Sequence, residues 1–228
     1  MQNNVVRERW LVALSLLAGC RLVDAAGDRD PPPADAASCR TVPLLRDDFE
    51  DGVMAADWTM YADTGAAVEE ADGLLRVAYS GAADAWAGYV TAEPHDLRGG
   101  WLAAEVAQVG GYTIIELHAG DTKVQTYAYG STIFGTVIVA GDTLSEFETD
   151  YVQENQAHWR MREEAGTIHW ETSPDGGEWT EMDARPTPLA ADAVTLLVSG
   201  GGVDGDSPAE FESVDIEGLD AACAQSLR

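Results

Sequence analysis

The chain has 228 residues, with 40 Asp plus Glu against 13 Lys plus Arg and a net charge of −27. A field of that sign repels phosphate backbones and anionic headgroups, which excludes nucleic acid and acidic lipid surfaces as partners. Such acidity serves solubility or adaptation to salty water, or else gathers carboxylates for a cation.

Residues 1–20 begin with a basic stretch around Arg7 and Arg9, then run apolar from Trp10 to Leu17, interrupted only by Ser15. About ten apolar residues are too few to span a bilayer, so the segment reads as a signal peptide, 1–19. Its end, Leu17-Ala18-Gly19-Cys20, resembles the lipobox of bacterial lipoproteins. The resemblance implies cleavage before Cys20 and acylation of that residue. An ordinary signal peptide with a chance cysteine is the alternative. Several acyl chains together give durable anchoring, where one alone is marginal. Arg21 after the cysteine, in place of aspartate, points under the usual lipoprotein sorting pattern to the outer membrane. Residues 20–38 contain Pro31-Pro32-Pro33 among alanines and aspartates and have no apolar face to bury. They read as a disordered tether that carries the lipid.

From 39 to 228 the pattern changes to short alternating runs, and neither composition nor charge divides them, so one domain is expected. Strands are expected at 44–49 and 58–61, in a hairpin over 68–77 turning at Asp72-Gly73, and at 85–92, 101–109, 112–118, 122–129, 132–140 and 144–152. In the meander 158–182, Trp159 and Met161 alternate with His158, Arg160 and Arg162, and Ile168 and Trp170 alternate with Thr167, His169 and Glu171. That is period two, one face apolar and one wet. Glu164-Ala165-Gly166 and Pro174-Asp175-Gly176-Gly177 form the turns, and Trp179 is expected back on the buried side. Strands at 194–199 and 209–216 follow, with 200–208 read as a loose glycine-rich loop. Thirteen to fifteen strands, turn signals every eight to twelve residues and no amphipathic helix predict an all-β, two-sheet antiparallel β-sandwich.

The run Asp48-Phe49-Glu50-Asp51-Gly52, the hairpin Glu70-Ala71-Asp72-Gly73-Leu74-Leu75-Arg76-Val77, the Trp159 strand, and Ser173-Pro174-Asp175-Gly176 with Trp179 together resemble concanavalin A-like lectin/glucanase sandwiches. The nearest type is the laminin-G-like or DUF1349-like module of bacterial secreted proteins. The likeness spans about 44–217 and implies a jelly roll, often with glycan bound on the concave sheet. Jelly rolls commonly place first and last strands side by side, which would let Cys39 and Cys223 close a disulfide; two free buried thiols are the alternative. Exported compartments allow the bridge.

Tyr127 and Tyr129 share one strand face, where aromatic rings can stack on sugars, or else belong to the core. Trp58, Trp101, Trp159, Trp170 and Trp179 are most simply core. Asp47, Glu50 and Asp215, with Asp48 and Asp51 beside them, are the candidate ligands for a structural Ca2+, which jelly-roll modules often hold where such strands meet; solvated acids are the alternative. No other cofactor is expected. Glu146, Glu148 and Asp150 alternate along a strand and would face one way, as the acids of a glycosidase do. Their order matches no flanking motif, so no catalytic residue is assigned. Ser173 to Thr180 resembles the Asp-box turn of sialidase propellers but occurs once, and reads as a hairpin. The four histidines lack metal-ligand spacing. The expected function is a lipid-anchored envelope protein carrying a non-catalytic binding module, with carbohydrate as the ligand. A structural or protein-interaction lipoprotein is the alternative, and a polysaccharide hydrolase the third reading.

Overall fold

The computed structural model of the chain describes residues 39–81, 84–220 and 223–224. The signal peptide, Cys20 and the tether lie outside the described residues.

Among the described residues fifteen strands follow one another: β1 (Thr41–Asp47), β2 (Trp58–Ala62), β3 (Ala66–Ala71), β4 (Leu74–Tyr79), β5 (Ala85–Thr91), β6 (Trp101–Gln108), β7 (Tyr112–Ala119), β8 (Thr122–Tyr129), β9 (Thr132–Val139), β10 (Asp142–Asp150), β11 (His158–Glu164), β12 (Thr167–Ser173), β13 (Thr180–Pro186), β14 (Thr195–Gly202) and β15 (Ala209–Leu219). They form two antiparallel sheets. The eight-stranded sheet runs β13-β12-β11-β6-β15-β4-β3, with β1 also on β15; the seven-stranded sheet runs β10-β9-β8-β7-β14-β5-β2. The long β15 shares one edge between two partners, β4 at Ala209 to Phe211 and β1 from Val214 onward.

Period two sets the core. Trp159, Met161, Ile168 and Trp170 have no exposed surface and meet Ile115, Leu117, Val124, Ile133 and Val137 of the facing sheet. Buried indoles keep their N–H groups bonded, as burial demands. Trp159 donates to the Gln156 carbonyl at 2.8 Å, and Trp170 reaches across the sandwich to the Gln125 carbonyl at 3.0 Å. Glu163 takes an inward position next in the row after Trp159 and Met161. Its carboxylate accepts the N–H groups of Gly99 at 2.6 Å and Gly166 at 2.7 Å, tying a loop and a turn to the sheet end. Cys39 and Cys223 form a disulfide with a Cα–Cα distance of 5.6 Å, closing the ends that β1 and β15 bring side by side.

The structure corrects three expectations. Gly200 to Gly202 are not loop but the end of β14. A Cβ at Gly201 would lie 2.4 Å from the Trp86 ring, and one at Gly202 would lie 2.8 Å from the Tyr79 ring. The strand is stripped of side chains so that aromatics can lie over it. Trp101 is half-buried on the outer face rather than core, because its neighbour Leu102 takes the inward position. Trp179 is also half-buried outside; it precedes β13 and receives the Arg160 guanidinium over its ring at 4.0 Å.

Candidate functional site

The outer face of the seven-stranded sheet carries an open groove of about 380 Å³, within the range of small-ligand sites. One cross-strand row builds its aromatic end. Gly201 of β14 is the partner of both Trp86 on β5 and Tyr112 on β7. With no side chain between them, the two rings meet across β14 at 5.4 Å between centroids. Tyr112 stacks on Tyr129 at 4.7 Å and lies 6.4 Å from Tyr127; Tyr127 stacks on Phe134 at 4.6 Å. The result is a continuous aromatic path from β5 to β9, about 19 Å wide at the usual strand spacing.

Tyr127 and Tyr129 therefore stand outward, not in the core, and beside Tyr112 and Trp86. Tyr129 is 53% exposed. Burial under the neighbouring rings pushes the Tyr127 phenol up to about 12, with the negative field of Glu146 adding to it. The hydroxyl stays protonated, a hydrogen-bond donor, throughout the neutral range.

A polar row runs parallel to the rings. Glu116, Gln125, Thr136 and Glu146 are successive cross-strand partners from β7 to β10. The Thr136 hydroxyl donates to Gln125 Oε1 at 3.2 Å, and Gln125 Nε2 donates to Glu116 Oε2 at 2.5 Å. Lys123 lies 3.3 Å from Glu116 Oε1, which is buried and accepts no hydrogen bond. The chain's one lysine thus neutralises the one deeply buried acid on the groove floor. Glu116, Lys123, Gln125 and Thr136 escaped sequence reasoning, although the signal was present: Tyr112, Ile114 and Glu116, and Lys123, Gln125 and Tyr127, are the outward set of two alternating strands.

The three alternating acids of β10 are outward and exposed, as the alternation implies. Only Glu146 reaches the groove; Glu148 and Asp150 line a separate depression beside Thr132. The candidate calcium ligands are not brought together. Asp215 lies opposite Arg46, 3.6 Å away, while Asp47 occupies the next position of the same strand pair and faces the other way. Asp47 accepts the Trp58 indole N–H at 2.9 Å and the Phe49 N–H at 3.0 Å. Asp48 and Asp51 likewise accept backbone N–H groups two residues on, at 3.3 and 3.0 Å, and Glu50 is exposed. This acidic run caps its own turn. Among the described residues no three His, Cys, Asp or Glu side chains are disposed to hold a metal ion.

No protein-family model matches the chain, and the curated proteins hold no match to it. Solved structures do match. The CBM2 module of the Lactobacillus casei BL23 phage J-1 evolved Dit aligns with a TM-score of 0.57 at 9% identity, over 80% of this chain and 98% of that one. Peanut lectin aligns with a TM-score of 0.53 at 12% identity, over 80% and 99%. A prokaryotic β-1,3-1,4-glucanase (lichenase) from a mouse hindgut metagenome aligns with a TM-score of 0.50 at 13% identity, over 75% and 97%. Likeness at such low identity establishes the architecture alone: a two-sheet jelly-roll sandwich of the lectin and glucanase type.

Proposed function

We propose that this chain is a non-catalytic module that binds a neutral glycan in the groove of the seven-stranded sheet, displayed on the bacterial envelope by a lipid on Cys20. The observation that carries the reading is the aromatic path Trp86–Tyr112–Tyr127–Phe134 laid beside the polar row Glu116–Gln125–Thr136. Sugar rings present apolar C–H faces and polar edges, and an aromatic track beside fixed donors and acceptors matches both. The acidity of the whole chain disfavours uronate or sulfated polymers. The lectin and glucanase folds among its structural neighbours support a carbohydrate ligand.

The test is a glycan array read with the purified protein. Binding of neutral oligosaccharides over uronates supports the reading. A blank array, with an envelope protein captured instead, overturns it in favour of protein interaction. A hydrolase is the second reading, because Glu146 lines the groove. Glu116 and Glu146, however, sit three strand spacings apart, about 14 Å between their backbones, against roughly 5–9.5 Å between the carboxyl groups of a glycosidase pair. Mixed-linkage β-glucan that is cleaved by the protein, but not by Glu146→Gln, would establish hydrolysis.

The Cys39–Cys223 disulfide is of a kind that persists in exported proteins. No helix among the described residues is long and apolar enough to cross a membrane. Anchoring through Cys20 is supported by Leu17-Ala18-Gly19-Cys20. Cys20→Ser is expected to move the protein from the outer-membrane fraction to the soluble fraction and to abolish palmitate labelling; membrane retention without label would contradict the anchor.

A further inference from the structure

The opposite face of the sandwich holds a second built depression, of about 390 Å³. A single row of cross-strand partners crosses the outer face of the eight-stranded sheet: Arg46 on β1, Asp215 on β15, Ala103 on β6, Arg160 on β11 and Glu171 on β12. Arg46 and Asp215 form an ion pair at 3.6 Å, and Arg160 Nε lies 2.6 Å from Glu171 Oε2. Ala103 falls between the two pairs. A methyl group where the row otherwise carries long charged side chains leaves the hollow.

Two indoles wall that hollow. Trp101 stands two positions before Ala103 on β6. Trp179 leans in from the turn before β13 and is held by the Arg160 guanidinium stacked on its ring. His158 and Glu105, 3.6 Å apart, complete the wall along β11 and β6. The turn passes so close that a Cβ on Gly176 would lie 3.3 Å from His158 Nδ1. The polar groups are thus fixed in place before any ligand arrives, which lowers the entropic cost of binding.

The chemistry of this pocket selects its ligand. Each guanidinium is already answered by a carboxylate, so neither is free to hold an anion, and the remaining carboxylate, Glu105, is set against His158. What the walls offer is hydrogen-bond donors and acceptors in fixed directions, together with indole surface. That combination fits a neutral polyhydroxylated ring with one apolar face.

We propose that the Trp101–Trp179 pocket is a second saccharide site, independent of the groove and on the opposite sheet. Two sites facing opposite ways cannot be filled by one short glycan. They hold two chains, or two segments of one polymer, and gain avidity on a polysaccharide surface.

The seven tryptophans make the test direct. The 15N-labelled protein is titrated with cellohexaose, laminarihexaose, xylohexaose and mannohexaose while the indole N–H signals are followed. One of these sugars is expected to shift Trp101 and Trp179 saturably. The shifts persist in Trp86→Ala, which weakens the groove. They weaken at least tenfold in Trp179→Ala and in Ala103→Gln, which fills the floor while leaving both indoles in place. Shifts at Trp86 with Trp101 and Trp179 unmoved by every sugar overturn the second site and leave the groove reading intact. Shifts at Trp101 and Trp179 that vanish in Trp86→Ala are indirect and overturn it too. No movement at any of the three indoles overturns both sites.

Discussion

Truncating Trp86 and Tyr112 together to alanine is expected to weaken glycan binding about 100-fold. Each ring supplies roughly 1–2 kcal/mol of stacking and burial, and 1.4 kcal/mol is a factor of ten in affinity. Both rings are half-buried on the outer face, so the core beneath them stays intact. Gly201→Ala gives a sharper version of the same prediction. It deletes no aromatic group, yet its Cβ would come within 2.4 Å of the Trp86 ring and lift it off the strand. A loss of binding in Gly201→Ala with unchanged far-UV circular dichroism would show that the flat seat of the indole matters, not merely its presence. Calorimetric titration of the three proteins with an array-positive oligosaccharide reads the effect.

The disulfide is expected to carry the largest single share of stability. Cys39 and Cys223 are 184 positions apart, and opening a loop of that size releases chain entropy worth about 3–5 kcal/mol. Topology concentrates the loss at one edge. β1 pairs with β15 alone, and the bridge fastens the chain just before β1 to the chain just after β15. The Cys39→Ser, Cys223→Ser double variant should therefore show a much lower urea midpoint than the oxidised protein. Amide exchange should rise first along Thr41 to Asp47, before the core strands β6, β7 and β8 open. Equal midpoints for the two proteins would contradict this account.

The faces of the meander's first two strands were legible from period two. Trp159, Met161, Ile168 and Trp170 alternate with charged neighbours, and alternation maps directly onto inside and outside. The pairing of Cys39 with Cys223 was legible once first and last strands were taken as neighbours. Spatial order across a sheet was not legible. Tyr112 meets Trp86 across β14, which comes from far along the chain to lie between β7 and β5, and no local pattern announces that insertion. Gly200 to Gly202 misled for a related reason. Glycines mark loops by their freedom, but here they mark a strand on which two aromatic rings must lie flat. Trp101 and Trp179 were read as core; strand parity places the first on the outer face, and the second lies under the Arg160 guanidinium there. The acids around Asp47, together with Asp215, were read as a ligand set from where jelly-roll modules often hold calcium. In space their oxygens accept the N–H groups of their own turn, and Asp215 points to the opposite face.

The most direct measurement is amide and indole chemical-shift mapping of the protein during titration with an oligosaccharide that scores on the array. The account predicts saturable shifts centred on Trp86, Tyr112, Tyr127, Gln125 and Thr136, all on the outer face of the seven-stranded sheet. Binding that leaves those five residues unmoved would contradict it.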